Sequence, residues 1–249
     1  VYFLLTIALG IPFWALGAAT GRQLLPALPI SALGVVCMVG AAAILSGRED
    51  GWRGVANLLK KSFDFGRARS AVWYVPAVLL PPLVSLAAYG IMCATGTPLP
   101  VPHLAAGKTV GLFFVFLAAA LCEELGWSGF AIDPLQERYG ALRASLIVGV
   151  VWAAWHFIPL AEAHRSLSFV AWWTLGTISL RVIIVWLYNN TGKSVFVAAL
   201  FHAMTNLTWQ LFPVDGSFYD PRVMSPILAL VAVAVTVAWG PGTLARRAR

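Results

Sequence analysis

Charged residues are scarce in this chain of 249, where only 11% are Asp, Glu, Lys or Arg and 10 are acidic. Soluble domains carry about a quarter of such residues, so a water-soluble globular fold is excluded. Cysteine is scarce too. Cys37, Cys93 and Cys122 all fall in apolar stretches without paired spacing, which excludes a disulfide framework and a zinc finger. They read as small, inert packing residues, and only Cys122, which abuts Glu123, stands near another metal-binding type. Long polar segments are missing as well, so no extramembrane domain remains to be placed.

What is present is apolar. Hydrophobic residues make up 60% of the chain, with a mean hydropathy of +0.82. At about 20 apolar residues per helical crossing, about eight spans are predicted: 1–20, 28–46, 71–94, 109–132, 144–160, 169–188, 194–212 and 223–239. The fold class is therefore all-α, a polytopic membrane helical bundle, expected as a single integral membrane domain over 1–249. The first span lacks a basic leading segment and reads as a crossing rather than a cleaved signal peptide. Pro76, Pro81 and Pro82 predict a kinked third helix, tolerated where neighbours satisfy the freed carbonyls.

A net charge of +7 does not imply nucleic acid, because the basic residues lie in short links between apolar runs, where they orient helices. Nucleic acid is excluded as a partner; membrane lipids are expected. If basic-rich links face the cytoplasm, Arg48, Arg53, Lys60, Lys61, Arg67, Arg69, Arg138, Arg143, Lys193, Arg246, Arg247 and Arg249 lie inside. Arg22, Lys108, Arg165 and Arg222 lie outside, and both termini are cytoplasmic. The link 47–70 interleaves Trp52, Val55, Leu58, Leu59 and Phe63 with basic residues, which suits either an amphipathic surface helix or an ordinary basic loop. Gly17-xxx-Gly21 and Gly107-xxx-Gly111 are weak matches to a close-packing pattern.

Against this background a few polar side chains stand out. Glu123 and Glu124 interrupt the fourth span, His156 the fifth, and His202 with Asn206 the seventh. An ionisable group at the bilayer centre costs about 2.5 to 3.5 kcal/mol, so their presence points to function. At 1.5 Å per residue, Glu123, His156 and His202 lie about 15, 20 and 14 Å from the same end of their helices, which predicts one shared site. Adjacent helical residues point about 100° apart, so Glu123 and Glu124 face different neighbours: one can address a water while the other braces a helix. Trp127 and Ser128 follow the two glutamates at i+4, Trp152 precedes His156 by four, and His202 and Asn206 share a face. A carboxylate, two imidazoles and an amide suffice for peptide hydrolysis without a Ser or Cys nucleophile. His103 and His164 read as loop residues, Asp215 and Asp220 as turn residues, Trp172 and Trp173 as interface anchors, and Trp127, Trp152 and Trp155 as core packing.

Glu-Glu-x-x-Trp-x-Gly, Trp-x-x-x-His-x-x-Pro and His-x-x-x-Asn, in this order between residues 122 and 206, resemble the CPBP intramembrane proteases. That group comprises the type II CAAX prenyl endopeptidases and the bacteriocin-processing and self-immunity proteins. The resemblance implies an intramembrane endopeptidase in the bacterial cytoplasmic membrane, acting on a hydrophobic or prenylated peptide or a membrane protein. It further implies that Glu123 activates water with His156, that His202 and Asn206 bind the oxyanion, and that Glu124 supports the site. Where the family often has Arg, this chain has Ser128. Arg181, inside the sixth span, either replaces that cation by pairing with Glu124 or snorkels to the headgroups. No cofactor is favoured, although Glu and two His match a three-ligand divalent site such as zinc. The same buried groups suit a proton-coupled transporter or a non-catalytic scaffold, the two competing classes.

Overall fold

The computed structural model describes residues 1–245, so the basic residues Arg246, Arg247 and Arg249 of the charge bias lie outside the described part. The chain runs through α1 (Tyr2–Thr20), a hairpin of β1 (Gln23–Leu25) and β2 (Leu28–Pro29), and a 3-10 turn Ile30–Val35. It continues through α2 (Val36–Lys60), α3 (Tyr74–Ala94), α4 (Ala106–Gly126), a π turn Trp127–Ala131 and α5 (Ile132–Tyr139). The last elements are α6 (Ala141–Trp155), α7 (Phe157–Glu162), α8 (Leu167–Asn190), α9 (Val195–Leu211) and α10 (Pro221–Trp239). Seven described segments are long and apolar enough to cross a bilayer, and the polytopic helical bundle stands. The eighth expected span is α9, with 17 residues. It is wrapped by α3, α4 and α8, and Val197, Ala198, Phe201 and Ala203 are fully buried, so its length is matched to protein neighbours rather than to lipid.

Several expectations are refined. The second span does not end near Ser46: α2 carries on into the basic link, broken only at Asp50 and at Gly51, whose φ of 59° is open to glycine. The third helix stays one element through Pro81 and Pro82. The fifth span is cut in two at His156, because Pro159 has no N–H and its ring collides with the carbonyl four residues back. Gly107 and Gly111 meet nothing, so that small-residue pair packs no helix. The close crossing is at Gly149 instead, whose missing Cβ lets α8 approach α6 at Ile178 and Arg181.

A second tight place secures the end of α4. A Cβ on Gly126 would collide with the Tyr2 hydroxyl and with the backbone carbonyl of Met38, which cannot swing aside. Gly126→Ala is expected to destabilise the protein by about 1 to 3 kcal/mol, the cost of overpacking a filled interior. A lowered midpoint in detergent thermal unfolding checks this, and an unchanged midpoint would mean that α1, α2 and α4 are not locked there.

Candidate active site

Two departures from regular helix build the site. In α6, the His156 amide bonds back to Ala153 at 3.0 Å instead of to Trp152. The freed Trp152 carbonyl is taken by His156 Nδ1 at 2.8 Å. A carbonyl only accepts, so Nδ1 carries a proton, and Nε2 makes no hydrogen bond to a described residue. In α4 the helix widens into the π turn directly after the glutamates, and its end bond runs from the Ile132 amide to the Trp127 carbonyl. That widening turns the Gly129 carbonyl toward Lys61 Nζ, which donates to it at 2.5 Å.

Glu123 is 3% exposed and Glu124 0%. Glu123 Oε2 accepts from Trp152 Nε1 at 2.7 Å and from Trp127 Nε1 at 3.4 Å. Its Oε1 stands 3.9 Å from His202 Nε2. Glu124 faces the other way. Arg181 grips it with two parallel bonds, NH1 to Oε2 at 2.8 Å and NH2 to Oε1 at 2.9 Å, a fork geometry that favours arginine. Ser128 Oγ also donates to Glu124 and accepts from Arg181 at 3.4 Å. His202 Nδ1 completes the set at 3.0 Å from Glu124 Oε1. The Arg181 guanidinium lies over Trp152, 4.5 Å from the ring centre.

Glu123, His156, His202 and Asn206 line one cavity of about 280 Å³. Its remaining walls are mostly apolar, with Leu28, Leu33, Val115, Phe116, Trp155 and Trp173 among them. The shared depth inferred from helix lengths is thus matched by a shared cavity. Glu124 is not on its surface but behind His202. Asn206 lies one turn below His202, and its carboxamide makes no hydrogen bond to any described residue. Glu123 and His156 make no hydrogen bond with each other; His202 is the imidazole near both carboxylates.

Other sequence expectations are corrected here. Trp127 and Trp152 do more than pack the core, since both indoles hold Glu123; the i+4 spacing of Glu123 and Trp127 was the available signal. Trp173, expected as an interface anchor, sits against the His156 ring with centroids 5.0 Å apart. Arg181 does not snorkel, being fully buried. Asp220 caps α10 by accepting from the Arg222 amide at 2.9 Å, and the Arg222 side chain holds its carboxyl below the usual range. Cys122 joins no ligand cluster: among the described residues no three His, Cys, Asp or Glu side chains are grouped to hold a metal.

Residues 105–208 match the family described as type II CAAX prenyl endopeptidase Rce1-like. A curated relative, the CAAX prenyl protease 2 of Methanococcus maripaludis, is 34% identical over 136 residues, covering 51% of this chain and 49% of the relative. The chain therefore spans about half the length of the curated relative it matches. Glu123, Glu124, His156, His202 and Asn206 all fall inside the family match.

Proposed function

We propose, from the match of residues 105–208 to the type II CAAX prenyl endopeptidase Rce1-like family, that this chain is an intramembrane endopeptidase acting on a hydrophobic or prenylated peptide. The single observation carrying this reading is the convergence of Glu123, His156, His202 and Asn206 on one apolar-walled cavity. A water held there donates one hydrogen to Glu123 Oε1 and the other to the free His156 Nε2. As its oxygen attacks the scissile carbonyl carbon, Glu123 takes the proton, and the carbonyl oxygen becomes an oxyanion. The Asn206 amide and His202 Nε2–H donate to that oxyanion. Glu123 then returns the proton to the departing amine as the C–N bond breaks.

This role for His202 needs protons on both ring nitrogens, because Nδ1–H already faces Glu124. The geometry supports it. Two carboxyl groups, Glu123 and Glu124, flank the His202 ring, with Nε2 3.9 Å from Glu123 Oε1 and Nδ1 3.0 Å from Glu124 Oε1. Glu124 is thus a positioning residue rather than a group that touches substrate, and Ser128 and Arg181 together fill the place the family often gives to one arginine.

We place the basic end of the bundle, with both chain ends, on the cytoplasmic side of the membrane. No metal enters the reaction. Purified protein is expected to cleave a prenylated peptide at an unchanged rate after dialysis against a chelator, and loss of activity restored by zinc would overturn the metal-free chemistry. Membrane peptide profiling of cells with the wild type should reveal a fragment that vanishes with Glu123→Gln; if no fragment vanishes, the peptidase reading fails in favour of a scaffold.

A further inference from the structure

We infer that the segment from the break in α2 toward α3 is a clamp operated by lipid headgroups: residues 51–69 bind anionic phospholipid and, by doing so, hold in place the two helices that carry Glu123 and His202. The backbone breaks at Gly51, and Gly54 packs directly on the Ser46 carbonyl. Eight residues of straight helix would separate those two by about 12 Å, so the helical stretch beyond Gly51 turns sharply off the axis of α2.

That stretch has three faces. At about 100° per residue, Trp52, Ala56, Leu59 and Phe63 fall within about 60° of one another, and Trp52 and Phe63 are 77% and 76% exposed. Arg53 and Lys60 lie together on the adjoining face, and Gly54, Leu58 and Lys61 turn toward the bundle. An apolar stripe flanked by arginine and lysine is the pattern of a helix lying in the headgroup layer. Residues 51–69 hold five basic side chains and one acidic, Asp64. Arg53, Lys60 and Arg69 are exposed and make no bond to any described residue. Asp64 neutralises none of these three, because it is spent elsewhere. An uncompensated positive face at this depth is complementary to anionic headgroups.

The bundle side of the same segment grips the site. Lys61 donates to the Gly129 carbonyl in the π turn after Glu123 and Glu124. Leu58 touches Gly129, which in turn meets Val195 at the start of α9. Asp64 accepts from Ser194 Oγ at 2.8 Å and from the Val195 and Phe196 amides at 3.0 and 2.9 Å, supplying the N-terminal cap of α9 from another part of the chain. Phe65 packs edge-on against Phe196 with centroids 5.9 Å apart. His202 follows six residues later on α9, less than two turns away. A segment drawn onto the headgroups therefore carries the caps of both site-bearing helices with it.

The test reads backbone protection rather than proteolysis, so its result is independent of the peptidase reading. The full chain is placed in nanodiscs of phosphatidylcholine alone or of phosphatidylcholine and phosphatidylglycerol in equal parts, and hydrogen exchange is followed at amides 195–200 and 127–131. Phosphatidylglycerol is expected to slow exchange there by about fivefold, the change matching the attraction of one basic side chain to an anionic surface. Arg53→Gln/Lys60→Gln/Arg69→Gln should erase the difference between the two lipids, and Asp64→Ala should exchange fast in both. Equal wild-type exchange in the two lipids, a lipid effect kept by the triple variant or by Asp64→Ala, or slowing spread evenly over all helices would each overturn the clamp. The wild-type comparison decides the matter even if a variant does not fold.

Discussion

Glu123→Gln is expected to reduce peptide cleavage by about 10² to 10⁴-fold, the usual worth of a positioned general base, while leaving the protein folded. The carboxamide oxygen still accepts from Trp152 and Trp127, so no buried indole N–H is stranded. Glu123→Ala would strand both, and loses stability as well as activity. The pair of variants therefore separates chemistry from support. Cleavage in proteoliposomes, read beside the unfolding midpoint, is the measurement. A transporter would lose uptake without any proteolysis at stake, and a scaffold would keep its partner with either variant. If the glutamine protein cleaved at close to the wild-type rate, Glu123 would not be the base.

Arg181→Gln should be the most damaging of the single substitutions behind the cavity, at about 3 to 5 kcal/mol, because it leaves the Glu124 carboxylate buried without its counter-charge. Glu124→Gln should cost a comparable amount by stranding Arg181. Removing both together, in Arg181→Gln/Glu124→Gln, is expected to cost clearly less than the sum, the mark of a directly coupled pair. Arg181→Lys should not restore the wild type, since an ammonium cannot make the two parallel bonds to Oε1 and Oε2. Activity should fall along with stability, since Glu124 orients His202 through Nδ1. Additive losses in the double variant, or an Arg181→Gln protein as stable as the wild type, would show that the guanidinium and the carboxylate are not holding each other.

Much of this site was legible beforehand because membrane insertion filters side chains harshly. A glutamate or histidine within an apolar span is costly enough to be conspicuous, and helix geometry is regular enough that depth follows from counting, which is why Glu123, His156 and His202 could be assigned to one level. Spacing by four also carried real information: Ser128 reaches Glu124, and Trp127 reaches Glu123, along a single helix face. What spacing could not carry was the partner across a helix interface. Arg181 could equally have reached for headgroups, and Trp173 could have anchored at the interface, since both alternatives are consistent with the same run of residues.

By itself, then, the order of amino acids determined a helical bundle in a membrane and the identity of the polar groups inside it, because hydropathy and helical periodicity are local properties. Only the tertiary structure decided that Glu124 belongs to Arg181, that Glu123 rests on two indoles, that His156 stands at a broken helix, and that a basic surface segment caps α9. Those choices depend on which faces of α4, α6, α8 and α9 meet, and on where Gly149 and Gly126 allow backbones to approach. Close packing and charge pairing in a low-dielectric interior set them, and both act between residues far apart in the chain.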